Sequence, residues 1–164
     1  MSSFGSLFGS KSAPLLGLDI SSSSVKLVEL GLAKNGGFIL ERCAIEPLER
    51  GWISDGNVEK FDEVAEAMRR VIKKSGTRTR NVAMALPASA VITKKIILPG
   101  GLSDADLEVQ VEAEANQYIP FSLEEVSLDF CVVGPSSSSS GDVEVLIAAS
   151  RKEKVQDRQG LAEA

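Results

Sequence analysis

Histidine is absent from this chain, and cysteine and aromatic residues are scarce. The 164 residues include no histidine, two cysteines, one tryptophan and one tyrosine. Without histidine, this chain has no zinc site built from Cys and His ligands and no mechanism that needs a histidine base. Cys43 and Cys131 lie far apart and form no Cys-x-x-Cys motif. Isolated cysteines are typical of a reducing compartment, although a disulfide between these two stays open.

Long apolar runs and an excess of positive charge are also missing. No stretch reaches the roughly 18 apolar residues that cross a bilayer, and residues 1–12 lack the features of a secretory signal. We expect residues 1–13 to be a flexible tail, while a helical face of Phe4, Leu7 and Phe8 leaves open a weak membrane or partner contact. The net charge of −5 argues against a nucleic-acid partner.

Two common catalytic motifs are absent as well. The chain contains neither G-x-x-x-x-G-K-[ST], which cradles phosphates, nor G-x-S-x-G, which presents a nucleophilic serine. Three acidic residues, Glu108, Glu112 and Glu114, fall close together. A di-metal helix site normally pairs Glu with a His three residues on, so a solvated acidic face explains these residues better. A hydrolytic enzyme is therefore the weakest interpretation.

Residues 15–30, LLGLDISSSSVKLVEL, hold the most informative pattern. Apolar residues on both sides of a serine run predict two buried strands joined by a tight turn, which is a β-hairpin. Small residues at its tip let backbone N–H groups approach an anion closely. Lys26 would add a positive charge, and Asp19 would hold a metal-bound water. From these residues alone, a serine-rich surface turn with a lysine at the strand edge stays open.

The segment from Leu18 to Lys26 resembles the first phosphate-binding hairpin of the actin-like ATPase superfamily, which includes actin, the Hsp70 chaperones, sugar kinases and FtsA. Within it, residues 17–30 and residues 112–130, EAEANQYIPFSLEEVSLDF, resemble the PilM family of type IV pilus assembly proteins. The resemblance extends from about residue 15 to residue 164. The superfamily usually has glycine where this chain has Ser21, which raises the question of a positive φ or crowding of the phosphate.

The resemblance implies a cytoplasmic scaffold that binds ATP and Mg²⁺. The implied nucleotide contacts are Asp19, Ser21, Ser22, Ser23, Ser24 and Lys26, with Asp19 holding Mg²⁺ through water. Hydrolysis is not expected from this chain alone. The implied partner is the short cytoplasmic N-terminus of the membrane protein PilN, together with other inner-membrane and motor components of the pilus and further copies of the chain. Localisation at the inner membrane would come through these partners.

The peptide is expected in a groove between the first half-domain and an inserted subdomain. The candidate pocket residues are Tyr118, Ile119 and Phe121, because they lie where a predicted helix breaks before Pro120. The alternative is that these side chains are core, which is the better interpretation for Ile119 and Phe121.

The predicted fold class is α/β, an actin-like half-domain with a mixed sheet and a crossover helix over residues 14–87. After the hairpin, the pattern predicts a strand at 38–45, a loop at 47–57, a helix at 60–74 ended by Gly76, and a strand at 81–86. A right-handed crossover through the helix would place the last strand parallel in the same sheet.

Residues 88–150 predict a small β-α-β-β subdomain, which the resemblance identifies as the insertion of FtsA and PilM. Its predicted parts are a strand at 91–98, a helix from the cap Ser103 to about Tyr118, and strands at 126–133 and 143–150 that pair as a hairpin around a serine-rich loop at 134–141. The apolar stripe predicted along the helix consists of Leu107, Val111, Glu114/Ala115 and Tyr118. Residues 151–164 predict the start of a helix returning to the actin-like domain, whose remaining parts are expected outside this chain.

Two other functions stay open. One is a catalytic actin-like ATPase or kinase, which steady ATP turnover would support. The other is an FtsA-like filament former tethered to a membrane, which would show filaments with ATP or lipid binding. The absence of a basic amphipathic helix weighs against the tether.

Overall fold

The computed structural model describes residues 14–164, so the predicted tail and the helical face of Phe4, Leu7 and Phe8 lie outside the described residues. The chain forms two compact units. Of the described residues, unit 1 contains residues 14–87 together with Gln156–Ala164, and unit 2 contains Ala88–Val155. No helix within residues 14–164 is long and apolar enough to cross a membrane.

Unit 1 is built on a mixed four-stranded sheet with one crossover helix. Its elements are β1 (Leu15–Ile20), β2 (Ser24–Leu32), β3 (Phe38–Pro47), β4 (Ile53–Ser54), β5 (Asn57–Val58), α1 (Phe61–Ser75) and β6 (Asn81–Met84). The order of the large sheet is β3-β2-β1-β6, with β1 antiparallel to β2 and parallel to β6. The predicted hairpin and the predicted parallel return of the strand after the helix are both confirmed.

The core of unit 1 lies between α1 and one face of this sheet. The helix contributes Val64, Met68 and Val71, whose spacing of three to four residues places them on one face. The strands contribute Leu16 and Leu27 among others, and α1 ends where Gly76 takes a left-handed φ of 67°. The periodic apolar pattern therefore predicts this helix correctly, because burial of one face produces that period.

The segment predicted as a loop at 47–57 contains a small hairpin instead. Strands β4 and β5 pair as a two-stranded ribbon around Asp55 and Gly56. Both turn residues have positive φ, 49° and 80°, as a tight type I′ hairpin turn requires. Each strand has only two residues, too few to show any alternation, so the Asp-Gly pair was the one usable signal.

Unit 2 is a three-stranded antiparallel sheet with a helix on one face. Its elements are β7 (Ile92–Pro99), α2 (Asp104–Tyr118), β8 (Val126–Pro135), β9 (Asp142–Arg151) and the first turn of α3 (Lys152–Glu163). The sheet order is β7-β9-β8, so the predicted β8–β9 hairpin is confirmed. Ser103 caps α2, since its Oγ accepts a 3.2 Å hydrogen bond from the Asp106 N–H.

The apolar stripe of α2 differs from the prediction at its last member. Leu107, Val111 and Ala115 are buried as expected. Tyr118, predicted to continue the stripe, is 46% exposed, whereas Ile119 is only 8% exposed. The chain leaves the helix at Ile119, with φ −88° and ψ 120°, and this turns Ile119 rather than Tyr118 into the core.

Two valines of α2 offer a matched test of this packing. Val111 is 0% exposed and Val109 is 65% exposed. Replacing Val111 with alanine is expected to lower the free energy of unfolding by about 1.5–3 kcal/mol, because two methyl groups leave the core. Replacing Val109 with alanine is expected to change it by less than about 0.5 kcal/mol. Urea denaturation followed by circular dichroism measures both, and equal effects would contradict the assigned helix face.

Candidate functional site

The β1–β2 hairpin brings together the two charged residues that the sequence singles out. Asp19 and Lys26 are opposite each other in the strand register. Lys26 Nζ donates a 2.9 Å hydrogen bond to Asp19 Oδ2, and both side chains are substantially exposed. A cation and a carboxylate thus lie at the solvent end of a buried strand pair, within reach of a ligand.

The tip of the hairpin is closed by Ser21 and Ser24. The Ser21 N–H donates a 3.0 Å bond to the Ser24 carbonyl, and the Ser21 hydroxyl donates a second, 3.1 Å bond to the same oxygen. Within residues 14–164, Asp55 is the one non-glycine residue with positive φ, so Ser21 carries no left-handed strain. This removes the first of the two difficulties expected for a serine at this position. The second, crowding of a phosphate by the hydroxyl, is reduced because the hydroxyl donates back to the Ser24 carbonyl.

Ser22 and Ser23 form the free end of the hairpin. Among the residues that the structure describes, neither backbone N–H has a hydrogen-bond acceptor in the protein. The Ser23 carbonyl is engaged, since it accepts a 2.8 Å bond from the Leu48 N–H. Successive unpaired N–H groups in a turn are a typical anion-binding feature. The tip therefore has the donors that a phosphate requires.

A cavity of about 480 Å³ adjoins this tip. It lies within unit 1, and its lining residues come from the hairpin tip and from the segment between β3 and the Asp-Gly turn: Ser22, Ser23, Leu48, Arg50, Gly51, Ile53, Ser54 and Asp55. The sequence did not single out Arg50 or Asp55 as site residues. The sequence signals that could have indicated these two residues are the Arg-Gly and Asp-Gly pairs. The glycine in each pair is typical of a tight turn, and the residue before it then lies at the turn.

The carboxylate of Asp19 is of a kind that suits Mg²⁺ held through water. Carboxylate and hydroxyl oxygens are the hard ligands that Mg²⁺ prefers, and this ion usually keeps several waters. In the part of the chain that the structure describes, no group of three or more His, Cys, Asp or Glu residues converges on one point. A single exposed carboxylate beside unpaired backbone N–H groups would suit a metal that keeps most of its waters.

The second set of predicted residues lies in unit 2 and divides into two kinds. Tyr118 is exposed, and Lys94 Nζ lies 4.5 Å from the centre of its ring. Phe121 is half-buried, with the Arg151 guanidinium 4.3 Å from its ring centre. Ile119 belongs to the core. Two aromatic rings, each with a basic side chain over it, thus lie at and just after the end of α2, while Ile119 between them belongs to the core.

A buried carboxylate in β2 forms a network that the sequence did not indicate. Glu29 accepts hydrogen bonds from Thr79 Oγ1 at 2.7 Å and Thr77 Oγ1 at 2.8 Å, and Arg42 Nε lies 3.4 Å away. The two hydroxyls, followed by the Arg42 charge, hold the pKa of Glu29 below its ordinary value although burial acts in the opposite direction. The network fastens the segment between α1 and β6 to the sheet.

Glu29 predicts a pH dependence of stability. Because its pKa is lowered on folding, its stabilising contribution is present above the ordinary value of 4.5 and is lost as the pH falls through and below it. Thermal melting between pH 7 and pH 3 is expected to show a larger fall for the unmodified protein than for Glu29→Gln, which cannot titrate. Glu41→Gln, an exposed neighbour in β3, serves as the control. Parallel curves for the unmodified protein and Glu29→Gln would contradict the lowered pKa.

Known proteins are similar to this chain in sequence and in fold. The family model described as type IV pilus assembly protein PilM matches residues 17–164. A solved structure titled "PilM-PilN type IV pilus biogenesis complex" is 32% identical with a TM-score of 0.78. The alignment covers 91% of this chain and 44% of that one, so this chain spans less than half the length of that relative. A diol dehydratase-reactivating factor in nucleotide-free form aligns over 54% of this chain and 14% of its own, at 18% identity and a TM-score of 0.32.

Proposed function

The chain belongs to the PilM family of type IV pilus assembly proteins, and from this premise we propose that it acts as an ATP-binding scaffold in the inner-membrane part of that machine. Its mixed α/β architecture is the actin-like fold of the family, as the sequence predicted. The observation that carries the proposal is the likeness, in both sequence and fold, to a PilM solved in complex with PilN. The chemistry of the hairpin and of the α2 surface supports its two parts.

The first part of the proposal is nucleotide binding at the β1–β2 hairpin. ATP would meet the unpaired N–H groups of Ser22 and Ser23, with Lys26 as a cation and Asp19 oriented toward a water of Mg²⁺. Ser21 and Ser24 hold the tip closed and position it. In the described part of the chain these groups can bind and orient a phosphate, so we assign them a binding role and no catalytic one.

The second part is capture of the PilN cytoplasmic N-terminal peptide. The exposed ring of Tyr118 and the half-buried ring of Phe121 provide apolar contact area, and Lys94 and Arg151 lie over them as hydrogen-bond donors. Aromatic rings of this kind dominate binding energy in many interfaces. Through such a partner the scaffold would work at the cytoplasmic side of the inner membrane, beside motor components and further copies, in pilus assembly and twitching motility.

The test is a titration of a fluorescent peptide from the cytoplasmic N-terminus of PilN. It is run against this chain and against the natural full-length protein, with and without Mg-ATP. Saturable binding that a scrambled peptide does not reproduce is the expected result, and its dependence on ATP reports whether nucleotide controls the peptide site. Absence of peptide binding by the full-length protein, together with steady ATP turnover, would replace the scaffold with an enzyme. Filaments formed with ATP would indicate FtsA-like assembly instead.

A further inference from the structure

Arg50 occupies the tip of a tight turn beside the hairpin. The turn runs from Glu49 to Trp52 and is closed by a 3.3 Å hydrogen bond from the Trp52 N–H to the Glu49 carbonyl. Gly51, its third residue, has a φ of 89°, as the third position of a type II turn requires. Arg50 is therefore the second residue of the turn, where side chains point outward. The turn presents a guanidinium on a short, well-defined segment of backbone.

The position of this turn relative to the hairpin is set by the backbone. Leu48 and Ile53, on either side of the turn, are both buried in the core of unit 1. The Leu48 N–H donates its 2.8 Å hydrogen bond to the Ser23 carbonyl at the hairpin tip. Arg50 follows Leu48 by two residues, and both Arg50 and the tip serines line the same cavity. A long basic side chain thus lines the same cavity as two residues whose backbone N–H groups are unpaired.

The cavity is lined by one basic and one acidic side chain, Arg50 and Asp55. Arg50 takes part in no ion pair within residues 14–164, whereas Lys26 is already paired with Asp19. Asp55 is the acidic side chain in the lining, and it is exposed. A guanidinium offers two parallel N–H donors that match the oxygens of a phosphate. Arg50, Ser22 and Ser23 line the same cavity, so the guanidinium and these two unpaired N–H groups are donors available to one ligand.

We propose that Arg50, with the backbone N–H groups of Ser22 and Ser23, forms a subsite for the terminal phosphate of a nucleoside triphosphate. The inference rests on the proposed nucleotide binding and adds to it a residue that discriminates ATP from ADP. Lys26 and Asp19 serve the phosphates and metal common to both nucleotides. Arg50 serves the group that only the triphosphate carries. The segment between β3 and α1, which carries Arg50, would thus contact the nucleotide when ATP is bound and lose this contact when ADP is bound.

The test compares ATP and ADP affinities by calorimetry in the natural full-length protein. Arg50→Ala is expected to weaken ATP binding about tenfold, the value of one charge-assisted contact, and ADP binding by less than about threefold. Arg50→Lys keeps the positive charge but loses the two parallel N–H donors. Its ATP affinity is therefore expected to lie between those of Arg50→Ala and the unmodified protein. Arg78→Ala removes an equal charge from an exposed position of unit 1 outside the cavity, and its affinities are expected to match the unmodified protein. Thermal melting confirms that each variant is folded.

Asp55→Asn gives an independent check that the ligand bound in this cavity is negatively charged. Asparagine tolerates the left-handed φ of this position, so the turn is retained while the negative charge is removed. Without Mg²⁺, this variant is expected to bind ATP more tightly than the unmodified protein, opposite to Arg50→Ala.

The proposal is overturned if Arg50→Ala leaves the ATP-to-ADP affinity ratio unchanged or if both variants weaken ATP binding alike. If the unmodified protein binds neither nucleotide, the nucleotide part of the proposed function fails with it. Binding of both nucleotides with an unchanged ratio defeats this inference alone.

Discussion

Replacing Lys26 with alanine is expected to lower the ATP affinity of the natural full-length protein more than about tenfold, because one charge-assisted phosphate contact contributes roughly 1.5–3 kcal/mol. In the structure, Lys26 Nζ is engaged with Asp19 Oδ2 at 2.9 Å. Such an exposed ion pair contributes only about 0–1 kcal/mol. The phosphate contact therefore outweighs the pair that it displaces, and its loss dominates the effect of the substitution.

Calorimetric titration with Mg-ATP measures the effect, and Lys34→Ala is the matched control. Lys34 is exposed between β2 and β3 and carries the same charge, away from the hairpin tip. We expect Lys34→Ala to bind ATP as the unmodified protein does. Both variants should melt close to the unmodified protein, since neither lysine is buried. An unchanged ATP affinity for Lys26→Ala would identify the hairpin as a serine-rich surface turn.

Replacing Tyr118 with alanine is expected to weaken binding of the PilN peptide about tenfold or more, which is the usual effect of truncating a central aromatic anchor. The melting temperature is expected to change by no more than a few degrees. Tyr118 lies outside the core and contacts Lys94 at the surface, so its removal leaves no cavity. Fluorescence anisotropy and thermal melting on the same samples separate binding from folding.

Ile119→Ala provides the contrast, because the adjacent side chain is buried. Its truncation is expected to lower the free energy of unfolding by about 2–5 kcal/mol through loss of core packing. If Tyr118→Ala instead lost stability as much as is expected of Ile119→Ala, and lost binding with it, Tyr118 would be a core residue and the assignment of the peptide surface would be wrong.

The family, the helices and the longer strands followed from the order of residues alone, whereas the short β4–β5 ribbon did not. The apolar period of α1, the cap at Ser103 and the apolar runs around the serine turn are local patterns, produced by burial of one face and by pairing of neighbouring backbone. The parallel return of β6 followed from the handedness of a crossover, which depends only on chain twist. Family membership followed for the same reason, since the hairpin segment and residues 112–130 are contiguous stretches.

Other features depended on contacts between residues far apart in the chain. Glu29 meets Thr77 and Thr79 across 48 and 50 positions, and no local pattern marks such a partner. Arg50 adjoins the serine tip because Leu48 bonds to Ser23 across the fold. Tyr118 and Ile119 were both plausible core residues until the bend after α2 buried one and exposed the other. Periodicity reports which side of an element is buried, but packing in three dimensions decides which side chains meet.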